Sequence, residues 1–221
     1  AEYKKTGTCK ILIVTGCMAQ RYKEEITEEI PEVDAVLGTT SYGDIVKALN
    51  EAEAGHIFRE FKDINALPED YTPQVETKRM ITTGGHFEYL KIAEGCDKHC
   101  TYCIIPSLRG KFRSVPEERL LKQAEYMASL GVRELILVAQ ETTVYGTDLY
   151  GKKTLHILLK KLCQIKGIRW IRVLYCYPEE IYDELIQVMK EEKKICHYLD
   201  LPIQHASDRI LKRMGRRTSK A

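Results

Sequence analysis

The sequence predicts an α/β protein in two parts: a small parallel α/β layer, then an incomplete parallel (βα) barrel. Three observations point there. Short β-branched runs alternate with amphipathic stretches, first near the amino terminus and again from residue 88 onward. In the second series, polar and cysteine-rich segments fall just after each strand, on the rim where parallel barrels carry their chemistry. The 221 residues are 44% hydrophobic, enough for one large or two small cores, and 30% charged with mixed signs, which argues against a disordered chain.

Residues 10–15 (KILIVT) suit a buried strand, ended by the turn at Gly16-Cys17. Residues 19–30 read as a helix stopped by Pro31, and 34–37 (DAVL) as a second strand. A helix over 44–54 places Ile45, Val46, Leu49 and Ala52 on one side. Residues 66–82, with two prolines and little periodicity, read as a linker. In the second series, 89–93 (YLKIA) is a strand and 95–115 a long loop holding a cysteine cluster. Residues 116–130 form a helix that opens on Pro and Glu and closes at Gly131. Strands then follow over 132–139, 168–174 and 198–202, with helices over 154–165, 179–191 and 206–214. The rim collects the cysteine cluster, Gln140-Glu141, Tyr175-Cys176-Tyr177 and Gln204-His205. Four strands leave a barrel open.

A formal charge of +2 argues neither for nor against a nucleic-acid partner. The longest apolar stretches, such as 135–139 (LILVA), run to about five residues, far below the roughly 20 of a membrane span. The first residues lack the apolar middle of a secretory signal. Of eight cysteines, five are scattered and three crowd into eight residues, a pattern unlike small disulfide scaffolds. A metal site in a reducing compartment fits better, and the expected location is the cytoplasm.

Cys96, Cys100 and Cys103 stand as C-x3-C-x2-C in GCDKHCTYC. Three thiolates on one loop can hold three corners of a cubane iron–sulfur cluster and leave its fourth iron open. The natural ligand for an open iron at this spacing is S-adenosylmethionine, bound through its amino and carboxylate groups. The alternative is a zinc site completed by His99 or His86, although zinc favours two separated ligand pairs.

With Tyr102 just before the last cysteine, this loop resembles that of radical-SAM enzymes. The stretch YLKIAEGCDKHCTYCIIPSLRGKFRS is similar to the methylthiotransferases, which replace a C–H hydrogen by a methylthio group. One branch, MiaB-like, acts on adenosine in tRNA; the other, RimO-like, acts on an aspartate of ribosomal protein S-twelve. KIAEGC and LVAQETTVYGTDLYG resemble the RimO branch, with Glu141 standing where many of its members carry Asp, and LDLPIQHASDRILKRMGR matches both.

The resemblance implies a partial flavodoxin-like domain over residues 1–65 and a truncated radical-SAM core over 83–221, without the TRAM module. It implies two 4Fe-4S clusters in a full-length protein and one in this chain, S-adenosylmethionine as cofactor, a flavodoxin-type electron donor and S-twelve as partner. VTGCMAQRY is similar to the stretch around the third auxiliary-cluster cysteine, which gives that role to Cys17; Cys9 sits in another context. A piece of this extent is expected to lack full activity. By the same resemblance Tyr102 helps to position the adenine, and Gln140 and Glu141 contact the amino group or ribose of the cofactor. Arg109 faces a carboxylate, a cluster sulfur or simply solvent. His205 reads as a structural histidine, and Cys163, Cys176 and Cys196 as inert. Lys212, Arg213, Arg216 and Arg217 read as a solvated helix end.

Overall fold

A computed structural model describes residues 1–66 and 80–219, so most of the expected linker lies outside the described residues. The described residues fall into two compact units, one drawn from Ala1–Glu76 with Ser107–Gly110, the other from Thr77–Pro106 with Lys111–Ala221.

The first unit begins with a short helix, α1 (Glu2–Thr6), then β1 (Ile13–Thr15), α2 (Cys17–Tyr22), α3 (Glu25–Glu29), β2 (Ala35–Leu37), α4 (Ile45–Glu53) and β3 (Phe58–Glu60). Its three strands are parallel in the order β1-β2-β3. The central strand is buried at every residue because both faces are covered. Val36 packs with Ala19, Ile26 and Val33 on one side, Ala35 and Leu37 with Ala48 on the other. The Asp34 carboxylate accepts from Lys4 Nζ at 2.6 Å and from Leu12 N at 2.8 Å. Burial pushes its carboxyl up, but Lys4 and the Leu12 amide outweigh that and hold it below the usual range. The helix expected over 19–30 is two helices, because Lys23 between them takes a φ of +43°. β3 is an unexpected strand; its three residues are too few for any alternation to register.

The second unit opens with β4 (Phe87–Lys91) and β5 (Ala93–Glu94). A short helix, α5 (Ile105–Arg109), whose residues from Ser107 onward belong to the first unit, precedes β6 (Arg113–Ser114), and then come α6 (Glu117–Ser129), β7 (Glu134–Val138), α7 (Thr147–Tyr150), α8 (Leu155–Cys163), β8 (Trp170–Val173), α9 (Asp183–Glu191), β9 (Ile195–Leu199) and α10 (Asp208–Arg213). The main sheet is parallel in the order β4-β7-β8-β9. That sequential order is a barrel arc; a doubly wound sheet would reverse its strand order at a switch point. Helices α6, α8 and α9 pack in succession against one another, as helices on one side of the sheet do. Leu120, Leu135, Leu137, Leu155, Leu158 and Ile171 are fully buried in this core. The fourth strand sits three residues earlier than expected, at 195–199, because the ladder ends at Leu199 and residues 200–202 lie beyond it.

Tyr145 joins the segment after β7 to this core. Its ring is fully buried and its hydroxyl donates to Val115 O at 2.8 Å, just before α6. Tyr145→Phe therefore strands a buried carbonyl and is expected to cost about 1–2 kcal/mol in urea unfolding. An unchanged midpoint would mean that the bond contributes nothing.

Candidate functional site

The long cysteine loop is not a free excursion. β5 and β6 pair antiparallel, Ala93 with Ser114 and Glu94 with Arg113, and form a neck around it. Val115 N extends the neck by donating to Ile92 O at 2.8 Å. Asp148, in α7, accepts from Ser114 N at 2.8 Å and Ser114 Oγ at 2.6 Å. The loop is thus tied to the segment that follows β7. Inside it, Asp97 Oδ1 accepts from Phe112 N at 3.0 Å, and Lys98 N lies 3.4 Å from Cys96 Sγ.

Cys96 and Cys100 are buried and Cys103 is exposed. Burial pushes the Cys96 thiol up, and the negative charges of Glu141, Cys103 and Cys100 push it the same way, against the Lys98 amide. Three thiols on one short loop are a set that a metal cluster can bind as thiolates. Among the described residues, no three or more His, Cys, Asp or Glu side chains converge on a single metal ion. A cubane does not require that convergence, since each thiolate binds a different iron.

Beside Cys100 lies a cavity of ≈ 320 Å³ whose lining includes Lys98, His99, Glu141, Tyr177, Glu179 and Arg216. The Glu141 carboxyl is buried; Oε1 accepts from Thr143 Oγ1 at 3.1 Å, and Oε2 is 3.7 Å from Lys98 Nζ. Burial raises it to about 7 despite Lys98, with Glu180 and Glu179 adding to the rise. Lys98 is drawn more closely to Glu180, which also pairs with Lys153 at 3.0 Å. A larger depression of ≈ 560 Å³ between α6 and α8 holds none of the residues singled out in the sequence.

The structure brings Glu141, Cys96 and Cys100 to one end of the parallel sheet. Gln140 precedes Glu141 there, and its Oε1 is buried without a hydrogen-bond partner among the described residues. Tyr102 is exposed. His205 is exposed and its Nδ1 accepts from Ser207 N at 2.9 Å, a local structural contact. In the first unit, Cys17 opens α2 and receives a hydrogen bond from Arg109 Nε at 3.2 Å, so the arginine meets a sulfur. Cys163 is buried in α8, its thiol pushed up to about 11 by burial, and Cys176 lies buried against Thr142. The solvated-end reading fails at Arg216, which is 6% exposed. Sequence reasoning also passed over Lys98, although it lies inside the cysteine motif, and Glu180, which reaches the site only through the fold; Tyr177, placed on the rim by its position after a strand, does line the cavity.

The sequence profile of the radical SAM superfamily matches residues 90–221, and that of uncharacterized protein family UPF0004 matches residues 1–38. Over 219 residues the chain is 65% identical to a "Ribosomal protein uS12 methylthiotransferase RimO" of Lachnoclostridium phytofermentans, covering 99% of this chain and 49% of that protein. A protein of the same name from Clostridioides difficile is 53% identical over 220 residues, covering 100% of this chain and 48% of the relative. The chain thus spans about half the length of the curated relatives it matches. Among solved structures, the cobalamin-dependent S-adenosylmethionine radical enzyme OxsB superposes with a TM-score of 0.63 at 18% identity, over 95% of this chain and 33% of that one. The radical S-adenosylmethionine methyltransferase TsrM of Kitasatospora setae superposes with a TM-score of 0.57 at 12% identity, over 99% and 53%. These two speak for the fold alone. A profile match over more than half the chain, beginning in β4 and taking in the cysteine loop and every rim segment described above, places this chain in the radical SAM superfamily.

Proposed function

We propose that the protein carrying this chain is a methylthiotransferase of the RimO type, which replaces a hydrogen on the β-carbon of an aspartate of ribosomal protein S-twelve by a methylthio group. The observation that carries this reading is the 65% identity, over 99% of the chain, to a protein bearing that name. No helix among the described residues is long and apolar enough to cross a membrane, and a cytoplasmic location fits a ribosomal substrate. A flavodoxin-type reductant completes the set of partners. Residues 1–65 are assigned to the amino-terminal domain, 66–82 to the linker and 83–221 to the radical-SAM core.

The residues present fit a 4Fe-4S cluster held by Cys96, Cys100 and Cys103: three thiol ligands share one loop, and two of them are buried. They also fit S-adenosylmethionine in the cavity beside Cys100, which is lined by the buried Glu141 carboxyl and by Lys98; one residue before Glu141, the Gln140 Oε1 acceptor is buried without a partner among the described residues. When bound, cluster and cofactor supply the electron and the radical chemistry that an unactivated C–H bond demands and that no side-chain base offers.

The chain's own residues bind, orient and exclude water. The β5–β6 neck fixes the loop that carries the three thiolates. Glu141 and Gln140 are assigned to the amino group or ribose of the cofactor, and Tyr102 to its adenine. Lys98 holds Glu180 and Glu141 on one side of the cavity. Cys17 is assigned to an auxiliary cluster with two further cysteines, and Arg109 steadies its sulfur.

The test uses the full-length protein, reconstituted with iron and sulfide without oxygen and supplied with reductant and S-adenosylmethionine. Mass spectrometry is expected to find one methylthio group on the S-twelve aspartate and none on tRNA. Modification of tRNA adenosine alone would overturn the assignment of substrate.

A further inference from the structure

We propose that Arg216 is a positioning residue for the cysteine loop: a buckle in the chain after α10 carries its guanidinium to Cys100, where it holds that sulfur by a hydrogen bond and a fixed positive charge. The inference rests on the reading that Cys96, Cys100 and Cys103 hold a cluster, and concerns a residue outside that ligand set.

The buckle is built against the loop. Thr101 N donates to Met214 O at 3.0 Å, and Thr101 Oγ1 to Arg213 O at 3.3 Å. Gly215 takes a φ of +70°, and a Cβ there would sit 2.8 Å from His99 O, so the close approach requires glycine. The next residue is Arg216, whose side chain is 1% exposed.

A guanidinium keeps its charge at any accessible pH, so burying one demands compensation. Arg216 Nη2 donates to Pro202 O at 3.1 Å, and the group stacks 4.1 Å from the Tyr177 ring centroid. Neither contact neutralises the charge. The carboxylate beside it, Glu179, stands at 3.9 Å and already accepts from Thr218 Oγ1 at 2.6 Å. Cys100 lines the same cavity as Arg216, its Cα 3.7 Å from where a Gly215 Cβ would stand, and Arg216 Nε is buried with no partner among the described residues. A buried cation with one weak carboxylate, against a thiol on a loop of three, is matched by a thiolate-bound cluster carrying net negative charge. Hydrogen bonds and charge at a ligating sulfur both raise a cluster's reduction potential and slow the loss of its iron.

The experiment compares wild-type full-length protein with Arg216→Gln and Arg216→Lys, all reconstituted without oxygen. It reads the midpoint potential of the cluster that disappears on replacing Cys96, Cys100 and Cys103, and the rate of iron loss to a chelator. Arg216→Gln is expected to lower the potential and to speed iron loss about tenfold, the usual cost of removing a group that orients a metal ligand. Arg216→Lys keeps the charge but not the planar fork, and is expected to fall between the two; it carries the test if the glutamine variant does not fold. Wild-type potential and iron loss in both variants would overturn the role of Arg216 alone. A wild-type protein that takes up no iron dependent on the three cysteines would overturn the cluster reading, and this inference with it.

Discussion

Replacing Cys96, Cys100 or Cys103 by alanine in the full-length protein is expected to strip the iron held by that loop and to lower turnover by on the order of 10³ or more, an increase in barrier of roughly 4 kcal/mol. The three positions are not interchangeable with the other cysteines. They share one loop pinned by the β5–β6 neck, and Cys96 feels the charges of both its partners. Cys163 and Cys176 are buried singly, one within α8 and one against Thr142, where a thiol behaves as a small apolar group. Cys163→Ala and Cys176→Ala are therefore expected to keep wild-type iron after anaerobic reconstitution. Iron and sulfide analysis of the five variants checks both halves. Full iron in any of the first three, with its visible absorption intact, would remove that residue from the ligand set.

How much of this was legible in the sequence depended on distance along the chain. The parallel strands and their helices announced themselves through runs such as ELILV and LHILLKKLC, where local hydrophobicity and tertiary burial agree. The cysteine motif was legible because its chemistry is compressed into eight residues. Lys23 was not: a positive-φ residue within a helical pattern leaves no mark when it is neither Gly nor Asn. The β5–β6 neck was missed because each strand is two residues long and its pairing partner lies about twenty residues away. Arg216 stands 116 positions after Cys100 in a basic run that composition assigns to solvent. Its burial follows from Gly215 and the Thr101–Met214 bond, neither of which periodicity can register.

Glu141→Gln is expected to make the chain more stable at alkaline pH while weakening its hold on S-adenosylmethionine. The carboxyl is 2% exposed, and the cation beside it, Lys98, is pulled away toward Glu180. Burial therefore prevails over attraction and raises the group from 4.5 to about 7. For an acid whose folded value is raised, the folded state binds the proton more tightly than the unfolded chain does. The resulting stabilisation is complete below the unfolded value, near 4.5, and is lost as pH climbs through about 7. Above that point the ionised, half-paired carboxylate costs the fold up to roughly 3 kcal/mol. Glutamine keeps the shape and one hydrogen-bonding oxygen without the charge, so its unfolding midpoint should match wild type near about pH 5 and exceed it near about pH 8. Parallel pH dependences for the two proteins would mean that Lys98 holds Glu141 ionised throughout. The same substitution removes the anion assigned to the cofactor, so tighter folding should come with weaker retention of S-adenosylmethionine in the reconstituted full-length protein. A site residue of this kind trades stability for binding, and the trade should be visible on both measurements at once.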